Sequence, residues 1–155
     1  MEKETVIERT MYVEASPRTI WRALTEPELT KLYMDGWMIR TDWKRGKPVR
    51  WEERVGNDLV QRAKGTLMAS LPAHRLRFTQ LALDSGLPDT PDSYTMVDIS
   101  MEEEPDGRTL VKLWHGDFAG LPNDVRRARE AGRRWVEALV GLKRVAEEEE
   151  GPRAA

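Results

Sequence analysis

Apolar and polar positions alternate over residues 4–14, with Thr5, Val6, Ile7, Thr10, Tyr12 and Val13 as β-formers, which predicts a first strand. Ser16-Pro17 then signals a helix start, the Ser as cap and the Pro in the first turn, with Ile20, Trp21 and Leu24 as the apolar face. Glu26-Pro27 ends that helix and opens a short second one, whose Leu29 and Leu32 are expected to face inward before Asp35-Gly36 closes the pair. From Trp37 to His115 turn signals recur at strand spacing: Lys44-Arg45-Gly46, Gly56-Asn57-Asp58, Pro72-Ala73, residues 84–93 and Glu104 to Gly107. They divide the stretch into about six strands. Val49, Trp51, Glu53 and Val55 alternate with Arg50, Glu52 and Arg54, as Val97, Ile99 and Met101 do with Asp98, Ser100 and Glu102. Such alternation marks an antiparallel sheet with one buried face and one wet face.

The last element is a long helix over residues 123–147. Val125, Ala128, Gly132, Trp135, Leu139, Leu142 and Ala146 recur at steps of three and four, forming one stripe that Val136 widens. Arg126, Arg127, Arg129, Arg133, Arg134 and Glu137 are assigned to the opposite, solvated face. Pro122, Asn123 as cap and Asp124 at the positive end of the dipole mark the start. Glu147 to Glu150 oppose the dipole and Gly151-Pro152 follows, so fraying past Ala146 is expected, with residues 148–155 as a disordered acidic tail. The stripe is small in its first half and large in its second. A helix so graded, lying on a curved sheet, seals one end and leaves room at the other. Gly132, which costs about 1 kcal/mol relative to Ala in mid-helix, either allows close backbone packing or leaves volume for a ligand.

The order is thus β-α-α-β6-α, an α+β chain in which a curved antiparallel sheet of about seven strands wraps the one helix long enough to cover it. Residues 1–147 are read as a single domain. In a meander successive turns alternate ends, so the 56–58 turn and the 84–93 and 116–122 loops gather beside the small half of the helix stripe. A cavity mouth is expected there.

Composition narrows the function. The chain of 155 residues has no Cys, which removes disulfides, thiolate metal sites and Cys nucleophiles. The charged N-terminus lacks a secretory apolar run, and no segment approaches the ~18 apolar residues of a membrane span, so a cytoplasmic protein is expected. Net charge is −2, and the arginines of residues 126–134 have no interleaved aromatics to stack bases, so nucleic acid is not an expected partner. Two His and no metal-ligand spacing argue against a metal site, and neither a phosphate loop nor any other cofactor motif is present. Six Trp, spread through the elements, suit a core or a cavity wall.

Ala15-Ser16-Pro17 followed by IWRALTEPELTKLY, the GTLMASLP turn with HRLRFT, the RTLVKLWHGDF strand, and Trp135, Leu139 and Leu142-Lys143 together carry a family likeness. In this order they resemble the motifs of the activator-of-heat-shock-ninety-ATPase-like domains. Those domains belong to the helix-grip superfamily of StAR-related lipid-transfer domains, polyketide cyclases and the birch-pollen allergen. The resemblance spans residues 5 to 146. It implies a helix-grip fold and a cavity for a small hydrophobic ligand, with a chaperone partner in a stress response as a weaker implication and a homodimer left open. Members often carry Trp where Leu32 stands and Gly immediately before the helix Trp, where this chain has Arg134.

Strand parity names the inward candidates: Trp51 and Glu53, Phe78 and Gln80, Val97 and Ile99, Leu113 and His115, with Ala128, Gly132 and Trp135 from the helix. Glu53, Gln80 and His115 converging in an apolar cavity would orient a ligand; alternatively, Glu53 and His115 reach solvent or a backbone partner near strand ends. A Glu and a His in one cavity could also serve as base and acid in a cyclase- or hydrolase-like enzyme. No nucleophile or oxyanion hole accompanies them, so a binding protein for a small hydrophobic or aromatic molecule is the preferred reading. A protein-interaction module needs an apolar patch on the outer sheet face, where the outward sets are rich in Arg, Glu and Asp.

Overall fold

The computed structural model describes residues 4–153; the first three residues of the expected domain and the last two of the expected tail lie outside that range. The chain order is β1 (Ile7–Val13), α1 (Pro17–Thr25), α2 (Pro27–Thr30), β2 (Trp37–Arg40), β3 (Pro48–Val55), β4 (Asp58–Leu71), β5 (Arg75–Ala82), β6 (Thr95–Glu103), β7 (Thr109–Gly116) and α3 (Asp124–Glu150), with a single 3-10 turn at Pro91–Ser93 among the described residues. The seven strands form one antiparallel sheet in the order β1-β7-β6-β5-β4-β3-β2. β2 to β7 are the six-strand meander that the turn signals predict. β1 closes onto β7, Ile7 opposite His115 and Val13 opposite Thr109, and the two short helices carry the chain to the far edge at β2.

The large half of the α3 stripe seals one end of the sheet. Leu139, Leu142, Val145 and Ala146 are buried with Ile20, Ala23 and Leu24 of α1 and with the inward residues of the strands. Trp51, Leu67, Leu76 and Leu142 are almost wholly buried, each contributing about 1.5–3 kcal/mol by removal from water. α1 begins as its sequence indicates: the Ser16 hydroxyl accepts from the Thr19 amide at 3.2 Å and Pro17 opens the helix.

Both ends of α3 differ from the sequence reading. Asn123 adopts a left-handed backbone conformation and its side chain caps nothing. The neighbouring Asp124 carboxylate instead accepts from the amides of Val125 at 2.8 Å and Gly120 at 3.3 Å. At the other end the helix does not fray past Ala146 but runs to Glu150. The acidic residues that oppose their own helix dipole satisfy other donors: Glu147 accepts from the Glu14 amide at 2.8 Å, and Glu150 from the Ser16 amide at 2.6 Å. Glu150 thereby lies at the positive end of α1, and Arg22 pairs with Glu149 at 3.0 Å. The Ser16 amide holds the Glu150 carboxyl below its usual range.

Val136 does not widen the buried stripe; it is 49% exposed, and Val140 on the same flank is 63% exposed. β1 is shorter than expected, Glu4 and Thr5 forming a turn, although the Thr5 carbonyl still accepts from the Phe118 amide at 2.9 Å. Gly65 marks where β4 and β5 come too close for a side chain, since a Cβ there would lie 1.7 Å from the Thr79 carbonyl oxygen.

Candidate functional site

At the end opposite the large stripe, sheet and helix part to leave a cleft of about 350 Å³, within the size range of small-molecule sites. Gln80 and Leu81 of β5, Thr95 of β6 and His115 of β7 line it from the sheet. Ser85, Leu87 and Ser93 of the 84–93 loop and Phe118 and Leu121 of the loop before α3 frame its mouth, as the alternation of turns predicts. The 56–58 turn does not line it. Met34, Asp35 and Trp37 provide that wall instead.

The helix presents an unexpected face. Arg127, Ala131, Arg134 and Ala138 line the cleft, together with Arg126, Glu130 and Trp135. The first four repeat at steps of four, three and four, one residue out of phase with the buried stripe, so they occupy the adjacent flank. The sequence pattern assigns these arginines to solvent because a flank bordering an opening has no need to be apolar. Arg127 is half-buried and ties the site together: its guanidinium donates to the Pro122 carbonyl at 2.6 Å and the Ser85 carbonyl at 3.1 Å. Arg126 pairs with Glu130 at 3.5 Å, whereas Arg134 has no partner among the described residues.

Of the eleven sequence candidates, the cleft brings together Gln80, His115 and Trp135. Trp51, Phe78, Val97, Ile99 and Leu113 lie in the packed core beneath it, with the Trp51 and Phe78 rings 5.0 Å apart. Ala128 and Gly132 turn toward β1; a Cβ on Gly132 would meet the Arg9 guanidinium at 3.3 Å and the Ile7 side chain at 3.6 Å. Gly132 therefore serves packing against β1 and contributes no volume to the cleft. Glu53 keeps the inward parity of Trp51, directly opposite Trp37, but at the strand end it pairs with Arg62 at 2.9 Å and packs beside Gly36. Arg62 is the residue left over where the β3–β4 register slips between Trp51 and Glu52, a bulge that alternation in β3 alone does not reveal. Glu53 and His115 do not meet.

His115 is the best-defined polar group of the site. Its Nδ1 lies 2.8 Å from the Trp135 indole nitrogen and its Nε2 lies 2.8 Å from the Thr95 hydroxyl. Phe118 packs on the ring at a centroid separation of 5.0 Å, and the Trp135 ring meets it edge-on. Burial alone pushes its pKa down to about 4, so the imidazole is neutral at physiological pH. Thr95 was within reach of sequence reasoning, because it shares the inward parity of Val97 and Ile99. Phe118, Leu121 and Trp37 carry no comparable periodic signal, since they lie in or beside loops.

A curved antiparallel sheet gripping a long C-terminal helix, with a cleft opening between them at one end, defines a helix-grip domain. The family model described as "Activator of Hsp90 ATPase homolog 1-like protein" matches residues 14–147, and the chain belongs to that family. No curated protein matches it. Among solved structures, the solution structure of ChR145 from Cytophaga hutchinsonii is similar at 25% identity and a TM-score of 0.74, over 96% of this chain and 98% of that one. The Aha1 dimer from Colwellia psychrerythraea is similar at 17% identity and TM-score 0.67, over 94% and 98%. DynU16, a protein in the dynemicin biosynthetic locus, is similar at 16% identity and TM-score 0.69, over 90% of this chain and 46% of that one. These last two likenesses are of fold alone.

No helix among the described residues is long and apolar enough to cross a membrane, and no group of three His, Asp or Glu among them is placed to hold a metal ion.

Proposed function

We propose that this chain binds a small hydrophobic or aromatic molecule in the cleft between the sheet and α3. The observation that carries this reading is the composition of the cleft wall: Trp37, Leu81, Phe118, Leu121 and Trp135 supply a continuous apolar and aromatic surface, faced by polar groups from the sheet (Gln80, Thr95, His115), the loops (Asp35, Asp84, Ser85, Ser93) and the helix (Arg126, Arg127, Glu130, Arg134). Such a site stabilises a ligand by removing its apolar area from water and orients it through a small number of hydrogen bonds. Membership of the family, whose helix-grip fold leaves this cleft between sheet and helix, supports a ligand-binding role.

The enzyme alternative relies on Glu53 and His115 in one cavity. Glu53 is engaged by Arg62 away from the cleft, and both nitrogens of His115 are engaged within it. A binding role accounts for the geometry with fewer additions. A homodimer, suggested by the Aha1 dimer of related fold, and a chaperone partner, suggested by the family description, are separate proposals. Light scattering checks the first, and the ATPase rate of an Hsp90 chaperone with the chain added checks the second.

Native mass spectrometry on protein purified without organic solvent tests the binding reading, followed by denaturation to release any carried molecule. A released small molecule that protects the Trp37 and Trp135 fluorescence from aqueous quenchers on rebinding supports the cleft. A ligand whose rebinding leaves both indoles open to quenching places it elsewhere.

A further inference from the structure

We propose that Thr95 is the hydrogen-bond donor that selects ligands bearing an acceptor oxygen, with Trp135 and His115 as positioning residues that fix the direction of its hydroxyl proton. The inference rests on the cleft being the ligand site and specifies what the ligand must carry. An indole N–H can only donate, so the Nδ1 atom 2.8 Å from the Trp135 nitrogen must present a lone pair. A neutral imidazole then carries its single proton on Nε2. That proton points at the Thr95 oxygen 2.8 Å away, which must accept it. With one side of the oxygen occupied, the hydroxyl's own proton is turned away from the ring, and Thr95 lies on the cleft wall.

The reverse tautomer or a doubly protonated ring would set an N–H against the indole N–H across 2.8 Å. The arrangement is therefore directional, running Trp135 to His115 to Thr95 to the cleft. Burial of the ring, which keeps it neutral, agrees with this direction. Gln80 stands directly opposite Thr95 across β5 and β6 and also lines the cleft. Directly opposed side chains begin about 4.5–5.5 Å apart, so the Gln80 carboxamide can add a second donor beside the first. Neither the Gln80 carboxamide nor a second bond of the Thr95 hydroxyl is satisfied by another described residue. The ligand chemistry that completes the chain is an oxygen acceptor, such as a ketone or other carbonyl, attached to an apolar or aromatic body that lies against Phe118 and Trp135.

Two probes of near-equal shape separate this from apolar binding in general: methyl naphthyl ketone and isopropenylnaphthalene, in which a carbonyl oxygen is replaced by a methylene carbon. Calorimetric titration of the folded chain should favour the ketone by about 10-fold, the worth of one hydrogen bond in a desolvated site. Thr95→Val should bring the ratio to about one while isopropenylnaphthalene still binds, and Thr95→Ser should retain the preference. Trp135→Phe should lower the ratio too, and nitrogen–proton correlation NMR should show His115 protonated on Nε2 in the parent and mixed in this variant.

Equal binding of the two probes by the parent overturns the proposal and leaves the cleft reading standing, as does a preference that survives Thr95→Val. A parent His115 protonated on Nδ1 overturns it without any ligand. Binding of neither probe removes the cleft reading, and this inference with it.

Discussion

Gly141 of α3 lies so close to Tyr33 that a Cβ built on the glycine would stand 2.4 Å from the tyrosine Cβ. Tyr33 cannot yield easily, because it is packed against the core and its hydroxyl donates to the Ala23 carbonyl at 2.8 Å. Burial drives its phenol pKa strongly upward, so the ring remains a neutral donor. Gly141→Ala should therefore destabilise the fold by about 2 kcal/mol in urea unfolding, overpacking outweighing the helix-propensity gain of about 1 kcal/mol. Gly132→Ala should have the opposite sign, up to about 1 kcal/mol stabilising, since only the flexible Arg9 tip must move. Equal effects at the two glycines would contradict the packing described.

His115 makes the fold acid-sensitive. Its folded pKa of about 4 lies below the ordinary histidine value near 6.5, so the unfolded chain binds a proton that the folded chain refuses. This contribution is fully present above about pH 6.5 and is lost as pH falls toward 4, amounting to about 3 kcal/mol. Below that it changes no further. Arg126, Arg127, Arg134, Glu130, Asp35 and Asp84 border the same cleft, and the arginines keep their charge throughout. In His115→Phe, unfolding free energy measured between pH 4 and 7 should lack this component of the slope; a slope identical to the parent's would assign the acid sensitivity to carboxylates.

Removal of residues 147–155 should cost about 1–3 kcal/mol, because it leaves the amides of Glu14 and Ser16 without the carboxylates that receive them. Hydrogen exchange would show the effect locally, faster at Glu14 and Ser16 and unchanged at the centre of β6. Unaltered exchange at those amides would mean that water replaces the carboxylates at no cost.

Arg127→Ala should leave global stability within about 1 kcal/mol yet speed exchange in both the 84–93 and the 116–122 loops, since one guanidinium holds a carbonyl of each. A change confined to one loop would show that the other is held by its own contacts.

The sheet, the meander and the closed end of the molecule were legible in the sequence because they rest on periodicity. Val97 and Ile99 against Asp98 and Ser100, or Leu139 and Leu142 along α3, leave little choice of inward face. The mouth was legible in position but not in composition. Phe118 and Leu121 lie in a loop with no repeat, and Arg127 and Arg134 occupy a helix flank that borders an opening, where polarity carries no packing penalty. Glu53 lies away from the cleft for a different reason. Its parity was right, but its neighbour Arg62 is displaced by a bulge set by pairing with a distant segment, which alternation within one strand cannot encode. The C-terminal carboxylates likewise look unfavourable when only their own helix is considered. Their partners, Glu14 and Ser16, lie more than 130 residues earlier.

Leu139, Leu142, Val145 and Ala146 pack toward one end of α3, while Arg127, Ala131, Arg134 and Ala138 line the cleft toward the other, which gives the molecule two ends with different demands. The tightest packing lies away from the opening, and the cleft wall is divided among strand ends, loops and a helix flank that folding does not require to be apolar. Under the proposed binding role, substitution at Leu87 would alter the cleft wall without touching the packed core. A scaffold arranged in this way would let the proposed site change what it accepts in small steps, each tolerated before it is useful.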